Sequence, residues 1–155
     1  MARCFVTEEG FKKLSAELKD LLEVQRPQVR QDVKTAREFG DLRENAEYET
    51  ARRDHSRIEG RIHDLEEFLS DVEVVEKVEN PKKADFGVFV TVQNLDIATP
   101  DKEYLLVSAQ EAPLEDYYLS IESPLGNALI GAKVGATVTF EAPAGTRRFK
   151  VKGIR

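Results

Sequence analysis

The chain has 155 residues, 41% of them hydrophobic, and a single cysteine. That size suits one compact domain with an appendage, or two small domains, and excludes a disulfide framework. A formal net charge of −6, from 23 Lys+Arg against 29 Asp+Glu, argues against a broadly cationic nucleic-acid wrapper.

The excess acid lies early, with 13 Lys+Arg against 18 Asp+Glu through Val75 and 10 against 11 thereafter. No secretory leader and no apolar run long enough to span a bilayer is recognisable, so cytoplasmic residence is the expectation. Cys4 precedes Phe5 and Val6 and is expected to be a buried small side chain. Thr7 suits a helix start, with Glu8 and Glu9 at the positive end and Gly10 a poor helix former. Apolar residues recur at Phe11, Leu14, Leu18, Leu21 and Leu22, weaken at Gln25 and Pro27, and resume at Val29, Val33 and Ala36. The pattern predicts one helix over 7–38 with a kink or local irregularity at Pro27.

Tyr48, Ala51, His55, Ile58, Ile62, Leu65, Leu69 and Val72 follow with gaps alternating between three and four, the seam of a coiled coil. A short connection cannot run back along a helix of about 45–50 Å at about 1.5 Å per residue, so the two helices must be antiparallel. The connection Gly40-Asp41-Leu42-Arg43-Glu44-Asn45-Ala46-Glu47-Tyr48 is thereby expected at one extremity. Asp41 and Glu44 are spaced as a capping box, and the same carboxylates, if they face solvent, can serve a metal or a ligand. Arg37, Arg43, Arg52 and Arg53 gather nearby. They read either as a small phosphate-facing patch or as ordinary solubilising charge. His55 and His63 lack partners on one face and read as packed or surface histidines.

Beyond Asn80-Pro81 the chain turns to short β-branched and aromatic runs at 88–92, 104–107, 117–121, 137–140 and 148–151, with 72–78 a further candidate. They predict an antiparallel sheet of five or six strands, one face covered by a short helix from Ser123-Pro124-Leu125-Gly126-Asn127-Ala128-Leu129-Ile130-Gly131. Gly126, Gly131 and Gly135 lack the Gly-Lys-Ser/Thr ending of a phosphate loop and read as turn residues. Gly145-Thr146-Arg147-Arg148 reads as a hairpin connection whose arginines could face an acidic partner.

The stretch from Gly40 to Tyr48, followed by Ala51, resembles the signature of bacterial Gre-type transcript cleavage factors. The stretch from Ser123 to Gly131 resembles the C-terminal signature of the same family, and the likeness covers essentially the whole chain. The resemblance implies an α+β protein. An N-terminal antiparallel coiled-coil hairpin with an acidic tip would occupy 1–76, and an FK506-binding-protein-like antiparallel sheet with a short helix would occupy 77–155 and dock on polymerase.

It further implies a transcription elongation factor, monomeric when free and without membrane association. The globular domain would bind bacterial RNA polymerase at the rim of its secondary channel, while the hairpin reaches toward the active centre. There it would rescue backtracked complexes by stimulating endonucleolytic cleavage of the nascent RNA 3′ end, activating the polymerase's own reaction rather than acting as a separate nuclease. DNA binding, as part of the transcribing complex, belongs to the same implied set.

Asp41 and Glu44 match the family's catalytic tip carboxylates, which are implied ligands of a Mg²⁺ shared with the polymerase and not of a tightly bound cofactor. Arg37, Arg52 and Arg53 match an RNA-proximal basic patch, and Asn45, Glu47 and Tyr48 support the tip. Gly135-Ala136-Thr137 lacks the acidic residue often found after that glycine in the family. Two other readings remain: a non-cleaving secondary-channel regulator, and a proline-isomerising or chaperone-like module suggested by the fold alone.

Overall fold

A computed structural model describes residues 4–38 and 46–155. The chain opens with β1 (Cys4–Thr7) and passes into one helical run made of α1 (Glu8–Asp20), a π-helical turn (Leu21–Gln25) and α2 (Arg26–Glu38). Cys4 is exposed, against expectation. In this strand Val6 and Thr7 face inward while Cys4 and Phe5 stay in solvent.

The irregularity expected at Pro27 falls in the turn just before it. Pro27 has no N–H, and its ring crowds the carbonyl four residues back, that of Glu23. The backbone widens instead, and the Arg26 N–H donates to the Leu21 carbonyl, five residues away. This turn also repairs the seam. The buried positions Leu14, Leu21, Val29 and Ala36 are spaced seven, eight and seven, and a π turn absorbs the extra residue that would rotate the following heptads off the contact face.

The second helix, α3 (Ala46–Ser70), buries Ala51, Ile58, Ile62, Leu65 and Phe68. Phe68 takes the place expected for Leu69, which is only half-buried, because a 3.6-residue helix drifts against a strict seven-residue repeat. Antiparallel packing is marked by two bidentate ion pairs that run in opposite order along the chain. Arg26 Nε and Nη2 donate to Glu59 at 2.9 and 2.8 Å, and Arg61 Nε and Nη2 donate to Glu17 at 2.7 and 2.9 Å.

Residues 11–72 form one compact unit, and the first residues of the chain group with 73–155 in the other. In that second unit β2 (Val72–Val75) pairs with β1 as a two-stranded ribbon. The main sheet contains β3 (Phe89–Asn94), β4 (Lys102–Val107), β5 (Tyr118–Ser120), β6 (Thr137–Ala142) and β7 (Gly145–Ile154) in the order β5-β4-β3-β7-β6. One pairing departs from the antiparallel expectation: β5 runs parallel to β4, with Leu105 opposite Tyr118. The connection between them contains a 3-10 turn, Ala112–Leu114, and returns the chain to the starting end, as a parallel pair requires. Gly145-Thr146-Arg147-Arg148 is not the connection expected but the start of β7; Ala142 pairs with Gly145, so Pro143 and Ala144 make the turn.

Val88, Val90, Val92, Leu106 and Val151 form the core of this sheet under Leu129 of α4 (Pro124–Leu129). The residues around α4 fit a structural signature. Ser123 caps the helix by accepting from the Gly126 N–H at 3.1 Å, and Pro124 fills the first turn, where no donor is needed. A Cβ at Gly126 would lie 1.9 Å from the Ser120 carbonyl oxygen.

The start of α1 is held by a fully buried carboxylate. Glu111 Oε1 accepts from Thr7 N–H at 2.9 Å and Thr7 Oγ1 at 2.5 Å. Its Oε2 accepts from Ser108 N–H at 3.0 Å and Ser108 Oγ at 2.7 Å. Thr7 Oγ1 in turn accepts from Gly10 N–H at 3.0 Å, the cap expected at this helix start. Gly10 is required here because a Cβ would fall 1.8 Å from Glu111 Oε1.

Candidate functional site

The end of the hairpin where α2 stops and α3 begins carries the residues of interest. Asp41, Glu44 and Asn45, together with Arg43 and the proposed capping box, lie outside the described residues. Their flanks are well defined. Tyr48 sits half-buried in the first turn of α3, and two guanidinium groups meet its ring: Arg37 from α2 at 5.9 Å from the centroid, and Arg52, one turn along α3, at 5.8 Å. Both distances are within cation–π range, and the negative face of the ring offsets the repulsion between the like charges. Two of the three arginines expected to form the basic patch, Arg37 and Arg52, are thus brought together, and Tyr48 is the group that gathers them. The arrangement suits an anionic ligand such as a phosphate, because two cations are held in place before it arrives.

Arg53 is exposed and about 100° further round the helix than Arg52, so it adds charge on another face. Glu47 also points elsewhere. With Asp32 and Asp54 it lines a shallow groove of about 400 Å³ floored by Ala36 and Ala51, which makes this end of the hairpin basic on one flank of the seam and acidic on the other. Among the described residues, no three of His, Cys, Asp and Glu converge in a way that could hold a metal ion.

Below the site, Glu59 ties the helices together. Besides the Arg26 pair it has Arg30 Nη2 and His55 Nε2, each at 3.6 Å, the latter contact charged only when the imidazole is protonated. The Arg26 hydrogen bond holds the Glu59 carboxyl below its usual range, with the nearby charges assisting against a desolvation cost. His55, expected on the seam, is a half-exposed partner of this acid. Sequence reasoning did not identify Glu59, Arg26 or Arg30 as a cluster. The signal available was an acid on one helix and bases on the other at positions flanking the seam.

Comparison with known proteins accounts for both halves of the chain. The family model described as "Transcription elongation factor, N-terminal" matches residues 4–74, and "Transcription elongation factor, GreA/GreB, C-term" matches 79–155. Transcription elongation factor GreA of Thermotoga petrophila is 38% identical over 154 residues, covering 99% of this chain and 98% of that one. GreA of Caldanaerobacter subterraneus is 41% identical over 151 residues, covering 97% and 96%. Among solved structures, GreA factor homolog 1 of Thermus thermophilus is 27% identical, with 99% of each chain covered and a TM-score of 0.44. Among the described residues, no helix is long and apolar enough to cross a membrane. With one model on the hairpin, another on the sheet unit, and relatives near 40% identity along almost the entire length, the chain belongs to the GreA/GreB family of transcription elongation factors.

Proposed function

We propose that this protein rescues backtracked bacterial RNA polymerase by stimulating cleavage of the nascent RNA 3′ end. The observation that carries the reading is the hairpin end itself, where Arg37 and Arg52 are gathered on Tyr48 beside the segment that holds Asp41 and Glu44. The arginines would orient the phosphate backbone of the displaced RNA, and the two carboxylates would sit where the attacking water is activated. Phosphodiester hydrolysis profits from divalent ions that stabilise the entering and leaving oxygens. Asp41 and Glu44 have the hard oxygen donors Mg²⁺ prefers, but two carboxylates leave an octahedral shell incomplete. They would therefore hold a Mg²⁺ only together with groups of the polymerase, and the chain is an activator of the polymerase's reaction rather than a nuclease in its own right. In this reading the sheet unit docks at the rim of the secondary channel and the hairpin is the part that enters.

The test uses 3′-labelled RNA in a stalled bacterial polymerase complex. Added wild-type protein is expected to release a short 3′ fragment. Asp41→Asn and Glu44→Gln are each expected to slow that release by about 100-fold or more, the usual scale for losing an electrostatic contact made in the transition state, with polymerase binding retained. Equal cleavage by both variants would remove the catalytic assignment. Binding by the wild type without cleavage would favour a channel regulator.

A further inference from the structure

β6 lies at one edge of the main sheet, and among the described residues no strand pairs with its outer side. Sheets blunt such an edge with lysine, proline, a bulge or brevity. The opposite edge is blunted in this way: β5 has three residues, and its last carbonyl, that of Ser120, accepts from Ser123 N–H at 3.1 Å and from Ser123 Oγ at 2.6 Å. β6 is not. It runs for six residues, Thr137-Val138-Thr139-Phe140-Glu141-Ala142, with neither lysine nor proline, and its register with β7 is unbroken.

The direction of its backbone groups follows from β7. Thr139 lies opposite Arg148, whose N–H donates to Asp96 Oδ2 at 2.7 Å and whose carbonyl accepts from Leu95 N–H at 3.0 Å, both in the continuation of β3. Arg148 therefore offers no backbone group to β6, and the alternation of an antiparallel ladder turns the N–H and C=O groups of Thr137, Thr139 and Glu141 away from the sheet. The side chains of these three residues are exposed. Val138, Phe140 and Ala142 are half-buried on the other face, where Phe140 stacks on Phe149 at 5.7 Å between centroids.

This strand is complementary to itself. When a second β6 is laid antiparallel about a two-fold axis at Thr139, Thr139 meets Thr139, Val138 meets Phe140 and Thr137 meets Glu141, and every side chain keeps its face. The outward positions 137, 139 and 141 become the bonded pairs, each exchanging both N–H···O bonds. Hydroxyl faces hydroxyl, aromatic faces β-branched side chain, and the strand's single charge, on Glu141, faces a neutral residue. Most of the net charge is elsewhere, since residues after Val75 carry 10 Lys+Arg against 11 Asp+Glu. Two sheet units can therefore approach without strong repulsion.

We propose that β6 is the edge through which two copies of this chain pair, joining their five-stranded sheets into one. The inference is independent of the proposed function and departs from the free monomer that the family resemblance implies. A six-residue ribbon falls short of the roughly 1,200 Å² typical of a stable interface, so the dimer is weak and reversible.

Sedimentation velocity of the full chain tests it. Wild type is expected to be monomeric at about 1 μM and to shift toward dimer at about 0.5 mM, as a dissociation constant of about 0.1 mM requires. Thr139→Pro removes an outward N–H at an edge position, where proline is tolerated, while Thr139→Lys and Thr139→Glu each place like charges opposite one another on the axis. Every one of the three is expected to weaken association by about tenfold or more, with folding checked by circular dichroism and thermal melting. An equimolar mixture of Thr139→Lys and Thr139→Glu is expected to regain the dimer, because position 139 meets only itself. If Thr139→Pro does not fold, the two charge variants carry the test. A wild type that stays monomeric at the high concentration would overturn the inference, as would dimerisation unaffected by the substitutions. Failure of the mixture to recover would overturn the two-fold pairing. Loss of RNA polymerase binding in Thr139→Pro, without self-association of the wild type, would assign the edge to a strand of the polymerase and overturn it as well.

Discussion

Intrinsic propensity would make Gly10→Ala strengthen α1 by about 1 kcal/mol, yet a Cβ there would meet the buried carboxylate of Glu111 at 1.8 Å. The clash is with a side chain that cannot swing away, because its two oxygens already accept four hydrogen bonds from Thr7 and Ser108. Gly10→Ala is therefore expected to lower the melting temperature, and a rise would show that the carboxylate is not seated against the helix start. Glu111→Ala removes the acceptor and leaves two backbone N–H groups buried without a partner. A loss of about 3 kcal/mol or more in denaturant unfolding is expected. No cation is needed to hold the acid: backbone donors, hydroxyls and the positive end of α1 do so together. Sequence spacing identified the Thr7 cap and read Gly10 as a blemish, since the residue that explains it lies about a hundred positions away.

The hairpin shows how an element can be legible in pattern while its correction is not. Heptad spacing located both helices, and Pro27 marked the disturbance, but the seven-eight-seven spacing of Leu14, Leu21, Val29 and Ala36 needs the partner helix before its extra residue becomes visible. Packing chose the π turn because it keeps Val29 and Ala36 on the seam at the cost of a few poorer hydrogen bonds. Across that seam Glu59 receives Arg26 in a bidentate pair. Its carboxyl is held below its ordinary value of 4.5, chiefly by that hydrogen bond. A carboxyl with a depressed value in the folded state contributes stability that is fully present above its unfolded value and is lost as pH falls through the folded one. The melting temperature of wild type is thus expected to exceed that of Glu59→Gln at neutral pH, by an amount worth at most about 1 kcal/mol for this part-exposed pair. The gap should close progressively below pH 4.5. A gap that widened on acidification would contradict this role for the ion pair.

At the scale of the molecule, the chain does not divide at the point where its pattern changes. The first residues group with 73–155, since β1 pairs with β2 and Thr7 satisfies Glu111. A chain of residues 73–155 alone is therefore expected to melt lower than the same chain supplied with residues 4–10, measured by circular dichroism; equal stability would mean that the first strand adds nothing. The two signatures, the helical seam, the strand runs and the arginines at 37 and 52 could all be read in one dimension, because periodicity and residue type are local properties of a chain. The parallel pairing of β5 with β4, the burial of Glu111 and the gathering of Arg37 and Arg52 on Tyr48 could not. Each depends on groups far apart in sequence meeting at hydrogen-bond or van der Waals distance, and the packing that brings them together is set by long-range burial, which no local pattern encodes.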